Sequence, residues 1–120
     1  MFRSSVQRNV SAVEGGDATL PCEAPNNKTI RVVSWTRPDL GKNPPVLFYR
    51  NGCFNPDNHP SYQNRTDLKN VKDGDVSLTL KNVTFNDSGT FECFITQRGE
   101  NNNSINSLSS VSLSVVPPGQ

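Results

Sequence analysis

The sequence predicts an all-β fold, a sandwich or barrel of many short strands. Two observations carry that reading. The dominant period is two: Ser110-Val111-Ser112-Leu113-Ser114-Val115 alternates without a break, Asp75 to Lys81 does the same, and Thr90 to Thr96 departs from it only at Phe94. Alternation of this kind sends successive side chains to opposite faces, as in a half-buried antiparallel strand. Apolar residues at i, i+3, i+4 and i+7 recur over no helical length, and clusters of turn-forming residues punctuate the chain.

The elements follow in order. A first strand is expected over 4–13, ended by Glu14-Gly15-Gly16-Asp17. The second, 17–23, puts Ala18, Leu20 and Cys22 on one face and stops at Ala24-Pro25-Asn26-Asn27. The third, 31–37, points Val33 and Trp35 inward and Val32, Ser34 and Thr36 outward. Strand 45–50 runs into Asn51-Gly52, and 52–54 forms a short edge strand beyond it. Strands 65–69 and 75–81 flank Lys72-Asp73-Gly74. The turn Asn86-Asp87-Ser88-Gly89 opens 89–97, with Phe91, Cys93 and Ile95 inward and Glu92, Phe94 and Thr96 outward. The last strand is 106–116. Nine short strands leave no room for a second domain, so one domain is expected over 1–116. Pro117-Pro118-Gly119-Gln120 cannot continue a strand and reads as the start of a linker over 117–120. The opening Met-Phe-Arg reads as a truncated start, hence an ectodomain cut from a longer chain.

Composition excludes several functions. The 120 residues carry a formal net charge of +1, so there is no basic field for nucleic acid. No apolar run approaches the ~20 residues that span a bilayer. There is one histidine, His59, no Cys-x-x-Cys and no glycine-rich phosphate loop, so neither an enzyme nor a metal site is expected, and no cofactor. His59, in Asp57-Asn58-His59-Pro60, reads as a solvated loop residue. Apolar residues make up only 32% of the chain, whereas Asn, Ser and Thr together number 36.

Cys22 and Cys93 both fall on inward faces 71 residues apart, and Trp35 lies 13 residues after Cys22. Two facing sheets joined by one disulfide, with a Trp packed on it, need this spacing. Such a bridge stabilises by about 4 kcal/mol in the chain-entropy model and requires an oxidising compartment.

Cys22, Trp35, Leu78 and Asp87-x-Gly89-x-Phe91-x-Cys93 resemble the immunoglobulin fold, of the variable (V-set) type, over nearly the whole chain. The resemblance implies an immunoglobulin-like β-sandwich of two antiparallel sheets. It also implies a structural salt bridge between Arg65 and Asp87 at the bottom of the sandwich. Phe91 departs from the family's usual Tyr, which removes the tyrosine-corner hydrogen bond but keeps the ring. Trp35-Thr36-Arg37-Pro38, Leu47 to Gly52, Tyr62-x-x-Arg65-Thr66-x-Leu68 and Asn82 to Phe94 are similar to the butyrophilin and myelin oligodendrocyte glycoprotein branch, related to T-cell costimulatory ligands. Ser104-Ile105-Asn106-Ser107 replaces the Phe-Gly-x-Gly bulge of antigen-receptor variable domains.

Cys53 is left over, as an unpaired thiol tucked under the edge strand, as an interchain disulfide making a homodimer, or as a capped thiol or altered position. Six sequons occur, at Asn9, Asn27, Asn64, Asn82, Asn86 and Asn102. Composition alone gives about two or three, so a glycoprotein is expected, with some of the six unused. Phe94 reads as an exposed aromatic in mid-sheet, and a large apolar group in water gains by finding a partner. The expected protein-binding face is therefore Phe94 with Val32 and Tyr49, ringed by Ser34, Thr36, Arg50, Glu92 and Thr96. In V-set proteins this front sheet is the usual docking face. The loops 25–30, 51–60 and 98–104 offer a second surface, which a glycan on Asn102 would obstruct.

The expected function is recognition by the ectodomain of a type I cell-surface glycoprotein, on the extracellular side of the membrane, in immune-cell regulation. The partner would be another cell-surface protein. The alternative is a homophilic adhesion molecule that binds a second copy of itself. Neither nucleic acid nor a small-molecule substrate is expected.

Overall fold

A computed structural model describes residues 6–25, 28–40, 44–55 and 58–119, with only the backbone of Val6 and Gln7. The expected start of the first strand, the turn at Asn26-Asn27 and the sequon at Asn27 lie wholly or partly outside the described residues. The strands are β1 (Val6–Val13), β2 (Ala18–Leu20), β3 (Ile30–Thr36), β4 (Leu47–Arg50), β5 (Cys53–Phe54), β6 (Thr66–Asn70), β7 (Asp75–Leu80), β8 (Gly89–Arg98) and β9 (Ser104–Val116). They form a six-stranded sheet in the order β1-β9-β8-β3-β4-β5 and a three-stranded sheet in the order β2-β7-β6.

Two departures from the expected boundaries have a local cause. β2 stops at Leu20 because Pro21 has no N–H to give the ladder, and only a single bridge, Glu23 to Asp75, continues the pairing. β9 begins at Ser104 because it pairs with β8 out to Arg98. The turn that closes this hairpin holds Asn101 and Asn102 in left-handed backbone at φ 55° and 66°, which Asn tolerates better than most residues. One pairing is not antiparallel: β1 runs parallel to β9. The chain leaves β1 for the other sheet through a turn in which the Gly15 N–H donates to the Val83 carbonyl at 2.8 Å. No hairpin joins β1 to β9, so their directions are not forced to oppose.

Alternation delivers the core. Val33, Trp35, Phe91, Cys93 and Ile95 from the large sheet meet Leu20, Val76, Leu78 and Leu80 from the small one, all buried. The Cys22–Cys93 disulfide joins the sheets at a Cα separation of 6.6 Å. Trp35 sits opposite Cys93 in the ladder, and its indole N–H donates to the Val76 carbonyl across the sandwich at 3.0 Å.

The lower end is closed by charge. Arg65 donates from Nη2 to Asp87 Oδ1 at 2.9 Å and from Nη1 to Oδ2 at 3.0 Å. Asp87 is 3% exposed and also accepts from the Thr84 N–H at 2.9 Å, completing a capping box. Replacing Asp87 with Asn should cost about 3 kcal/mol, because it strands Arg65 without its counter-charge. Calorimetry should then record a Tm drop of roughly 10 °C.

Phe91 is buried and has no hydroxyl, yet a phenol reaches the same corner. Tyr62, 1% exposed, meets Phe91 edge to face at 6.0 Å and accepts from Arg37 Nη1 at 2.8 Å. Burial pushes the Tyr62 phenol above its ordinary pKa, against the hydrogen bond from Arg37. Arg37 lies over the Phe91 ring and also donates to the Ser88 carbonyl at 2.8 Å. Gly89 has φ 157°, which side-chain-bearing residues rarely adopt, and a Cβ there would stand 2.9 Å from Arg37 Nη2 and displace the guanidinium. His59 is not simply solvated: it is half-buried, and its Nδ1 accepts from the Ser61 N–H at 3.1 Å, capping the turn before Tyr62.

Candidate interaction face

Register, not sequence distance, assembles the outward face of the large sheet. Ser34 of β3 stands opposite Phe48 of β4 on one side and Phe94 of β8 on the other, and Phe94 stands opposite Leu108 of β9. Cross-strand partners share a face, so Phe48, Ser34, Phe94 and Leu108 form one row. The next row is Cys53, Arg50, Val32, Thr96 and Asn106. There the Thr96 hydroxyl donates to Asn106 Oδ1 at 3.1 Å. Thr36 and Glu92 pair in the row on the other side of the aromatic one. The face is thus apolar along its middle, with Arg50 and Glu92 supplying opposite charges to either side.

The structure brings Val32, Ser34, Thr36, Arg50, Glu92, Phe94 and Thr96 to this face. It does not bring Tyr49. Tyr49 pairs with Val33, which points inward, and packs against the core and, edge to face at 5.3 Å, against Phe54. Adjacent residues of a strand point opposite ways, so Tyr49 and Arg50 cannot share a face. The signal was present in Leu47-Phe48-Tyr49-Arg50: placing charged Arg50 outward makes Phe48 the outward aromatic. Phe94 also needs correction. Its direction is as expected, but it is half-buried among its neighbours; among the described residues the large apolar side chains that are exposed are Val13, Phe54 and Phe85, at 49%, 50% and 50%.

Cys53 is exposed at the edge strand, on the same face as Arg50, and not tucked beneath it. After mild reduction it should react with a thiol reagent in native buffer, one equivalent per chain. A thiol that reacts only on unfolding would contradict this placement. Asn9, Asn64, Asn82, Asn86 and Asn102 are all exposed. Asn102 Oδ1 accepts from Arg31 Nη2 at 2.7 Å, tying the β8–β9 turn to the start of β3. Among the described residues no cluster of His, Cys, Asp and Glu could hold a metal ion, and no helix is long and apolar enough to cross a membrane.

The family model of the immunoglobulin V-set domain matches residues 5–116. Human myelin-oligodendrocyte glycoprotein is 37% identical over 90 residues, covering 71% of this chain and 36% of that protein. The mouse sodium channel regulatory subunit beta-3 is 34% identical over 101 residues, covering 79% of this chain and 46% of that protein. The chain therefore spans less than half the length of either relative. The solved structure of murine CRIg superposes with a TM-score of 0.79 at 17% identity, covering 91% of this chain and 92% of that one, a likeness of fold.

Proposed function

The chain belongs to the immunoglobulin V-set family, whose members are non-enzymatic surface recognition proteins, and we propose that it is an extracellular recognition domain that binds another cell-surface protein through the outward face of its large sheet. The observation that carries this reading is the row Phe48, Ser34, Phe94 and Leu108. It is an apolar strip in mid-sheet, with the small Ser34 between its two rings, and flanked by Arg50 and Glu92. Interfaces concentrate their energy in aromatic and Arg anchors set in an apolar centre with a polar rim. Packing sheet against sheet needs no chemistry beyond that.

The inter-sheet disulfide and the six sequons fit an oxidising, extracellular setting. The likeness to the butyrophilin branch supplies the further proposal that the setting is immune-cell regulation, with the parent chain anchored in a membrane. The test is a screen of the multimerised domain against cell-surface ectodomains, with this domain itself included. The expected result is a hit that a soluble monomer competes away. Binding only to itself would favour homophilic adhesion, and retention of the hit after loss of the aromatic row would reject the face.

A further inference from the structure

Phe54 is 50% exposed, and the proposed recognition face makes no use of it. It ends β5, the edge of the large sheet. Its pairing with Tyr49 places it on the inward side, looking across the gap to β6 of the small sheet. A cleft of about 330 Å³ occupies that gap, with Leu47 and Phe54 on one wall and Asn58, Gln63, Asn64 and Thr66 among its other lining residues. Polar groups converging beside an apolar wall can orient a ligand, and this cleft is at the small end of the usual range.

Two further facts say what fits it. Asn64 and Thr66 are the two ends of the sequon Asn64-Arg65-Thr66, and both line the cleft. Asn64 is exposed in a left-handed turn at φ 65°, so its amide is open to modification while its backbone is fixed. Separately, Asn58 Oδ1 is buried with no hydrogen-bond partner among the described residues. An unmatched buried acceptor is costly, so a donor entering the cleft is favoured.

We propose that Asn64 carries an N-linked glycan and that its first N-acetylglucosamine folds back into this cleft, stacking on Phe54 and donating to Asn58 Oδ1. In the attachment, Asn64 Nδ2 forms a bond to the sugar's anomeric carbon. The bond from that carbon to a lipid-linked pyrophosphate breaks, the pyrophosphate leaves with the electron pair, and the amide loses one proton. The attached sugar starts at the cleft wall and needs no long reach. The pyranose C–H groups meet the electron-rich face of the Phe54 ring, and the acetamido N–H and hydroxyls supply donors. The sugar would also cover an apolar side chain at an open sheet edge, where a protein otherwise risks edge-to-edge association. This site lies on the inward side of the large sheet, apart from the recognition face; it rests on the extracellular setting proposed above, but not on which face binds the partner.

The test uses the chain secreted from mammalian cells with glycans held in the high-mannose form. Peptide mass mapping reads occupancy of Asn64. One sample is trimmed to a single N-acetylglucosamine per site by endoglycosidase H, and another is stripped by peptide N-glycosidase. Both are melted for the native chain, for Thr66→Val, which removes this sequon alone, and for Phe54→Ser. Losing the last sugar should lower the Tm of the native chain by about 3 °C more than that of either variant. An unoccupied Asn64, or an equal drop in all three proteins, would overturn the proposal.

Discussion

Replacing Phe48 and Phe94 together with Ser should weaken binding to the partner about 100-fold or more, with only a modest loss of thermal stability. Both rings are half-buried. Part of each already rests on neighbouring side chains, and the remaining apolar surface is what a partner can remove from water. They flank Ser34 from either side, so one partner surface touches both. The effect should be less than the sum of the single substitutions, because the two rings share one contact area. Phe85→Ser is the control. Phe85 is 50% exposed and belongs to the turn before β8, not to the sheet face. Surface plasmon resonance against the partner ectodomain should find its affinity unchanged.

Replacing Cys22 and Cys93 with Ala should destabilise the domain by about 4 kcal/mol in the chain-entropy model. Native domains are stable by only about 5–15 kcal/mol, so this is a large share of the total. The sulfur atoms are also packing atoms: Cys93 is fully buried opposite Trp35, and Cys22 is 5% exposed. Truncation therefore leaves a void beside the indole as well as freeing the chain. The expected readout is a Tm drop of roughly 15 °C, with an unchanged melting profile for Cys53→Ser. A smaller loss than that of Asp87→Asn would mean that the lower salt bridge, and not the disulfide, is the stronger tie in the sandwich.

Much of this was legible because strand alternation is a strong local signal. Val33, Trp35, Phe91, Cys93 and Ile95 could be placed inward from parity alone, and the disulfide then follows. The signal fails where apolar residues fall on both faces. Leu47-Phe48-Tyr49 has no internal contrast; the charge of Arg50 is the one sequence signal for which ring faces out, and the pairing of β4 with β3 fixes it. Exposure of Phe94 was misread for a related reason. Alternation gives direction, whereas exposure depends on the neighbours that the ladder brings alongside, here Ser34 and Leu108. The Arg37–Tyr62–Phe91 corner was not legible at all, since it joins residues from three separate elements through side-chain reach. The abundance of Asn has two physical sources. Asn51, Asn64, Asn82, Asn101 and Asn102 hold left-handed turns, and three of them, Asn64, Asn82 and Asn102, are also sequon residues. Backbone demand and sequons therefore fall on the same positions.

The most direct test of the recognition face adds bulk to its centre without removing either aromatic ring. Ser34→Asn creates a sequon with Trp35 and Thr36, and a glycan there would stand between Phe48 and Phe94. With occupancy established by mass and folding by the Tm, binding to the partner ectodomain should be lost in the glycosylated protein. Undiminished binding by that protein would contradict recognition through the sheet.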